Sequence, residues 1–345
     1  MFNASEYITF KRWAYYYAGL NPATGVSTNP KGDQPNINTD RTLFAATADP
    51  FAWANINQGW ASGTWDGSKV QTTDWRGKVK EQSITTNNTI SVSGGSDKVK
   101  AYGSFGYLNN GGVVKGQSFE RYTAKANVDF TATQWLSFGS SITASYQKQQ
   151  FGQSNAGVAT IGSPAGGLYE SARSIFPYAV PYDSAGNRIL FPGGDNAIKN
   201  IIDEEKYNID ERVTSRIFGS LYTQVNLGNI HSVLKGLKYR LNFGPDISYY
   251  RDGIYVDANS VANGGSTSFA SLANNKTASY TLDHLLYYDK AIGDHTIGLT
   301  MLYSATSYKQ ETSFVSGNGV PQSSQLWYAL STGTVTGAIS TRGNL

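Results

Sequence analysis

The sequence predicts an all-β fold: an antiparallel transmembrane β-barrel fragment with long extracellular loops. Three observations predict it. Runs of about ten residues alternate with a period of two, the mark of a strand with one apolar and one polar face. The connections between these runs alternate between short and long, as periplasmic turns and outer loops do in an outer-membrane barrel. Charged residues are few at 15%, Tyr (23) and Gly (37) are abundant, and no apolar stretch is long enough for a membrane helix. Composition alone leaves a soluble all-β protein with large loops open. Strand length favours the barrel, because a tilted strand crosses a bilayer in roughly 9–11 residues.

Residues 1–80 read as a loop and short-helix region leading into the barrel, and 81–345 as the partial barrel itself. Ser5–Gly19 suits a short helix capped by Ser5 and ended by Gly19 and Pro22. Residues 21–40 are rich in Pro, Gly, Asn and Thr and read as loop. Another helical turn or two fits around Phe44, Phe51 and Trp53. Trp60, Trp65 and Trp75 follow, placed either to anchor at a membrane interface or to line a sugar site.

Residues 82–150 carry the strongest pattern. Tyr122, Ala124, Ala126, Val128 and Phe130 alternate with Thr123, Lys125, Asn127 and Asp129. Leu136, Phe138, Ile142, Ala144 and Tyr146 alternate with Ser and Thr. Gly94–Asp97 and Thr131–Gln134 make tight turns, whereas Asn109–Ser118 is longer and Gly-rich. These residues also resemble a known family. Ile90–Tyr102, reading ISVSGGSDKVKAY, with Phe105–Leu108 (FGYL), looks like the opening of the barrel in SusC/RagA-type TonB-dependent outer-membrane transporters. Thr73-Asp74-Trp75 resembles the family's "TDW" just upstream, Phe119–Tyr122 and Trp135–Gly139 continue the match, and the stretch around Ser5 resembles an "NA-S-E-Y" element.

Residues 151–210 form the longest insertion, punctuated by Pro164, Gly166, Gly167, Pro177, Pro181, Pro192, Gly193 and Gly194. So long a connection is suited to an extracellular barrel loop and not to a compact soluble domain. Strand pairs resume at 211–226, 237–251, 277–292 and 294–310, with Pro245 marking a bulge or an edge. The total is about eight membrane-length strands. Residues beyond 310 read as a Gly/Ser/Thr-rich tail.

The chemistry of catalysis is weakly represented. His231, His284 and His295 have no ligand spacing, and no Gly-x-Ser-x-Gly elbow is present. Asp203, Glu204 and Glu205 read as solvated loop carboxylates or a loose cation site. The Gly94-Gly95-Ser96-Asp97-Lys98 run lacks the strand–loop–helix context of a phosphate cradle. Cysteine is absent, which removes disulfides, thiol catalysis and CxxC metal sites. The net charge of +3, without a basic cluster, does not suggest nucleic acid. No catalytic, cofactor-binding or metal residue is assigned, and substrate contacts stay unassigned among loop aromatics such as Tyr169, Tyr178, Tyr182 and Trp327.

The expected function is transport, not enzymology. The resemblance implies import of glycan oligomers or peptides across a Gram-negative outer membrane. It also implies a barrel of about 22 strands around a plug, drive from TonB through a plug segment absent from this chain, and a SusD-like surface lipoprotein as partner. No signal peptide is visible, so the expectation is a piece of a longer protein. The alternatives are a surface glycan-binding β-protein without a channel and, less favoured, an outer-membrane hydrolase.

Overall fold

The computed structural model describes residues 2–45, 49–153, 167–263, 267–321 and 324–344. The predicted loop positions Pro164 and Gly166 lie outside them. Among the described residues, nine strands form one antiparallel sheet in which each strand pairs with its neighbours in sequence. They are β1 (Thr85–Gly95), β2 (Val99–Gly111), β3 (Gln117–Thr131), β4 (Leu136–Phe151), β5 (Asn208–Asn226), β6 (Leu237–Val256), β7 (Phe269–Ile292), β8 (His295–Asn318) and β9 (Thr334–Asn344).

β9 lies where the sequence predicts only a tail. It pairs with β8 from Lys309↔Asn344 upward, across a bulge at Ser316/Gly317. The later strands also outrun prediction. β7 and β8 are each 24 residues, or about 80 Å at ~3.3 Å per residue. That is far more than a bilayer-crossing strand needs.

Pro245 marks neither a bulge nor an edge. The β5–β6 ladder stops at Phe218↔Asp246 and resumes at Leu221↔Phe243 in unchanged register, while Pro245 still sits opposite Tyr280 of β7. The missing N–H is absorbed by a short gap beside Gly219 and Gly244.

The register sorts side chains onto two faces. One line of partners runs Ile90, Phe105, Ala124, Ala144, Ile217, Ile247 and Ala278. A further parallel line on that face, four residues away along the strands, includes Ala101, Val128, Ser140, Leu221, Phe243, Leu282 and Ala305. The opposite face carries Arg121, Lys125, Asp129, Arg216, Arg240 and Asp246. There Arg216 Nε donates to Asp246 Oδ1 at 2.8 Å, Tyr222 Oη donates to Asp129 at 2.8 Å, and the Arg240 guanidinium lies 3.8 Å from the Tyr222 ring centroid.

Two rows of rings bound the apolar band. Tyr107, Tyr122 and Tyr146 adjoin at 5.0 and 6.4 Å, and Phe130 stacks with Phe138 at 6.4 Å. Tyr122 and Phe130 are about eight residues apart on β3, ~26 Å along the strand, close to the ~25 Å height of a barrel's lipid belt.

The band also slips along the sheet. The line through Tyr107, at the upper end of the series on β2, meets β8 at Glu311. The apolar series of β8, Ile297 to Ala305, stops about six residues short of it, a slip of about one residue per strand. With ~3.3 Å per residue and ~4.8 Å between strands, this corresponds to strands tilted by about 35°, the stagger that barrel closure requires.

Candidate functional site: a cap of interlocked loops

Ser96–Lys98, Ala132–Trp135, Leu227–Gly236 and Gly293–Asp294 close one end of the sheet with short turns. The described parts of the long connections 152–207, 257–268 and 319–333, together with the described residues before β1, gather at the other end. Two buried apolar clusters are built there from loop and helix residues, and a third packs side chains from residues 320–330 against Tyr255 and Ala270 at the upper ends of β6 and β7.

The N-terminal region folds as helices. α1 (Ala4–Ala18) is capped by Asn3, not Ser5: Asn3 Oδ1 accepts from Glu6 N–H and the Glu6 carboxylate accepts from Asn3 N–H. That reciprocal box outcompetes a serine one position into the helix. α2 (Ile37–Asp40) and one π-turn (Arg41–Ala45) lead to α3 (Pro50–Gln58), capped by Asp49 with proline at its first position. α4 (Trp75–Lys78) precedes β1.

Arg12 of α1 is buried and meets Asp40 with two hydrogen bonds, at 2.8 and 2.6 Å. Trp60 Nε1 donates to the same carboxylate at 2.9 Å, and the guanidinium lies 4.1 Å from the Trp65 ring. Trp75 is buried, and its Nε1 donates to the Phe176 carbonyl at 3.0 Å. All three tryptophans thus take part in the packing of the cap; Trp75 is buried in it, while Trp60 and Trp65 are half-buried.

Buried polar groups tie this region to the 152–207 connection. Asn55 Nδ2 donates to the carbonyls of Gln71 and Tyr178, both at 2.8 Å. Thr73 gives its N–H to Pro177 O at 2.9 Å and its hydroxyl to Ala179 O at 2.8 Å. Of the Thr73-Asp74-Trp75 motif, the outer two residues join the loop and Asp74 caps α4 through Gly77 N–H at 3.0 Å.

A second junction links 152–207 to 257–268. That connection carries α5 (Leu168–Ser174) and α6 (Glu204–Tyr207). Lys199 Nζ donates to the carbonyls of Ala258 (2.9 Å), Ser260 (3.0 Å) and Asn263. Glu204 accepts from Ser260 Oγ and, at 3.2 and 3.1 Å, from Val261 N–H. The expectation of three solvated carboxylates fails here. Asp203 pairs with Lys206 at 2.9 Å, while Glu204 is buried to 1% exposure because the single turn of α6 directs it onto the backbone of 260–261. Burial pushes the Glu204 carboxyl up to about 7 and pulls the Lys199 ammonium down.

Between α1 and the loop lies a cavity of about 300 Å³ lined by Lys11, Leu43, Phe44, Phe176, Tyr178, Gly193, Gly194 and Asp195. Tyr178 is buried there, stacked on Phe176 at 5.3 Å, and burial raises its phenol. Of the loop aromatics singled out by sequence, Trp327 is also buried, Tyr169 lies under Lys80 at 5.1 Å, and Tyr182 presents an exposed ring. The histidines stay apart. His231 caps the turn at Ser232–Leu234, His295 opens β8, and His284 sits on the apolar face with Tyr239 Oη 2.6 Å from its Nδ1. Among the described residues no group of three or more His, Cys, Asp or Glu is placed to hold a metal. The buried linkers Asn55, Lys199 and Glu204 carry no motif; the Thr73-Asp74-Trp75 run was the one visible signal.

No family model matches the chain. It is 24% identical over 264 residues to TonB-dependent receptor P3 of Formosa agariphila, covering 76% of this chain and 26% of that protein. Over 56 residues, 16% of this chain and 6% of that protein, it is 32% identical to the TonB-dependent receptor SusC of Bacteroides thetaiotaomicron. Its fold matches the barrel protein in the structure of the RagAB peptide importer in the closed-closed state, with a TM-score of 0.67, 18% identity, and coverage of 100% of this chain and 36% of that one. The chain resembles the SusC/RagA-type TonB-dependent transporters. It spans about a quarter (26%) of the length of the Formosa receptor. The names these SusC/RagA-type relatives carry are those of receptors and importers, not of enzymes.

Proposed function

We propose that this chain supplies the wall and part of the outer mouth of an energised importer in a Gram-negative outer membrane, carrying glycan oligomers or peptides. The observation that carries the reading is the split of one tilted sheet into an apolar band edged by rings and a charged, hydrogen-bonded face, with folded loops at one end only. Lipid meets the first face and a wetted lumen the second. Residues 81–345 act as the wall. Residues 1–80 act with the 152–207 connection as one lid unit over the mouth.

The relatives' names support a TonB-driven mechanism. In it, force reaches a plug outside this chain, and a SusD-like lipoprotein sits over the loop cap. The charged face, with Arg216–Asp246 and Tyr222–Asp129, then borders the path that opens when the plug moves. The test is uptake. Cells whose gene for this protein is deleted are offered labelled oligosaccharide and oligopeptide pools, with and without a membrane uncoupler. Loss of uncoupler-sensitive uptake of either pool is the expected result; unchanged uptake of both contradicts the reading.

A further inference from the structure

A polar groove of about 480 Å³ lies over β6–β9, on the same side of the sheet as the apolar band. Register places Tyr249, Lys276, Glu311 and Arg342 on one line across four strands. Ser313 and Ser340, opposite one another on the next line, make a floor of small hydroxyls. Tyr249 Oη donates to Asn274 at 2.8 Å and closes one flank; Arg342 closes the other. Lys309, opposite Asn344, lies just below. Three cations therefore surround one carboxylate. Glu311 pairs with Arg342 at 3.3 Å, and among the described residues Lys276 and Lys309 have no ion-pair partner. The groove is built to receive negative charge.

Its height says what kind. Ala305 ends the apolar series of β8, and Lys309 and Glu311 follow about four and six residues on. At ~3.3 Å per residue and a tilt of ~35°, they stand about 11 and 16 Å above the hydrocarbon edge. The headgroup layer of an ordinary bilayer is only about 5–8 Å thick per side. A glycerophospholipid headgroup ends below the groove. Directly beneath it, Ile297, Leu299, Met301 and Tyr303 present an exposed apolar face suited to acyl chains.

We propose that this groove binds a glycolipid of the surrounding leaflet whose headgroup is a phosphorylated oligosaccharide. Acyl chains lie along β8, and a sugar phosphate reaches Lys309, Lys276 and Arg342. The inference rests on the reading that the apolar face meets lipid. It adds an annular lipid site on the outside of the wall, away from the lumen.

The test is native mass spectrometry of the whole protein in dodecyl maltoside. It is titrated with lipopolysaccharide bearing phosphorylated core sugars, with the same lipid stripped of its core, and with inorganic phosphate as competitor. The full lipid is expected to be retained, the core-less lipid at least tenfold more weakly, and inorganic phosphate is expected not to displace it. K276Q/K309Q is expected to weaken retention roughly 25-fold, about fivefold per cation, and E311Q to strengthen it. Equal retention of the core-less lipid, indifference to K276Q/K309Q, or displacement by inorganic phosphate each overturns the proposal. Heat-modifiable migration is read on every sample. A folded barrel that retains no lipid sinks this inference alone; a wild-type protein without heat-modifiable migration sinks the membrane reading beneath it.

Discussion

Glu204, in the connection between β4 and β5, receives the backbone N–H of Val261, in the connection between β6 and β7, at 3.1 Å. A buried carboxyl thus fastens two loops far apart in sequence. Burial lifts it from 4.5 to about 7, so the native cap binds a proton that the unfolded chain has already lost. The contribution of this site to cap stability is full below about pH 4.5 and declines as pH rises through 7, by about 3 kcal/mol in all. Hydrogen exchange of residues 257–263, corrected for the intrinsic rate, is expected to quicken from pH 5 to pH 8. Glu204→Gln is expected to remove that dependence while keeping the acceptor.

Arg12 and Asp40 are expected to behave as an inseparable pair. Arg12→Ala strands a buried carboxylate, which costs about 3–5 kcal/mol. Limited proteolysis is expected to cut the variant within 1–80 while the heat-modifiable barrel band persists. Equal resistance of variant and wild type would show that the pair does not hold the cap.

Leu221 and Ser220 are neighbours on β5 that face opposite ways. Leu221→Lys puts a charge near the middle of the lipid band and is expected to destabilise the folded barrel by about 2–4 kcal/mol in a urea titration in lipid vesicles. Ser220→Lys, facing the lumen, is expected to change the midpoint little.

Thr73→Val keeps the shape of its side chain but loses the hydroxyl that reaches Ala179 O at 2.8 Å. The unpaired carbonyl is expected to cost about 1–3 kcal/mol of cap stability. Faster exchange at residues near 73 and 179, with exchange on the strands unchanged, is the signature.

The first hairpins were legible in the sequence because most of each strand lies within the band. There lipid and water impose strict alternation, as at Tyr122–Phe130. β9 was not legible for a physical reason. The band slips along the sheet, and β9 as described pairs with β8 only from Lys309 upward, beyond Ala305. Both of its faces meet polar surroundings, so no period of two is enforced. The upper parts of β7 and β8 escaped for the same cause. In the cap, the helix after Ser5 and the helical turn around Phe51 and Trp53 were legible, and the rest read only as loop. Its fasteners are polar residues, Asn55, Lys199 and Glu204, buried by partners roughly 55–125 residues away. A single sequence gives no means of telling such a residue from a solvated one.

The central claim is that alternate residues of one strand meet lipid and water. The chain has no cysteine, so single cysteines can be placed along Tyr122–Phe130 of β3 and labelled with a small fluorophore in vesicles containing brominated lipid. Strong quenching is predicted at 124, 126 and 128, with weak quenching and ready attack by a water-soluble thiol reagent at 123, 125, 127 and 129. Uniform attack by the aqueous reagent, with no two-residue rhythm in the quenching, would contradict the account.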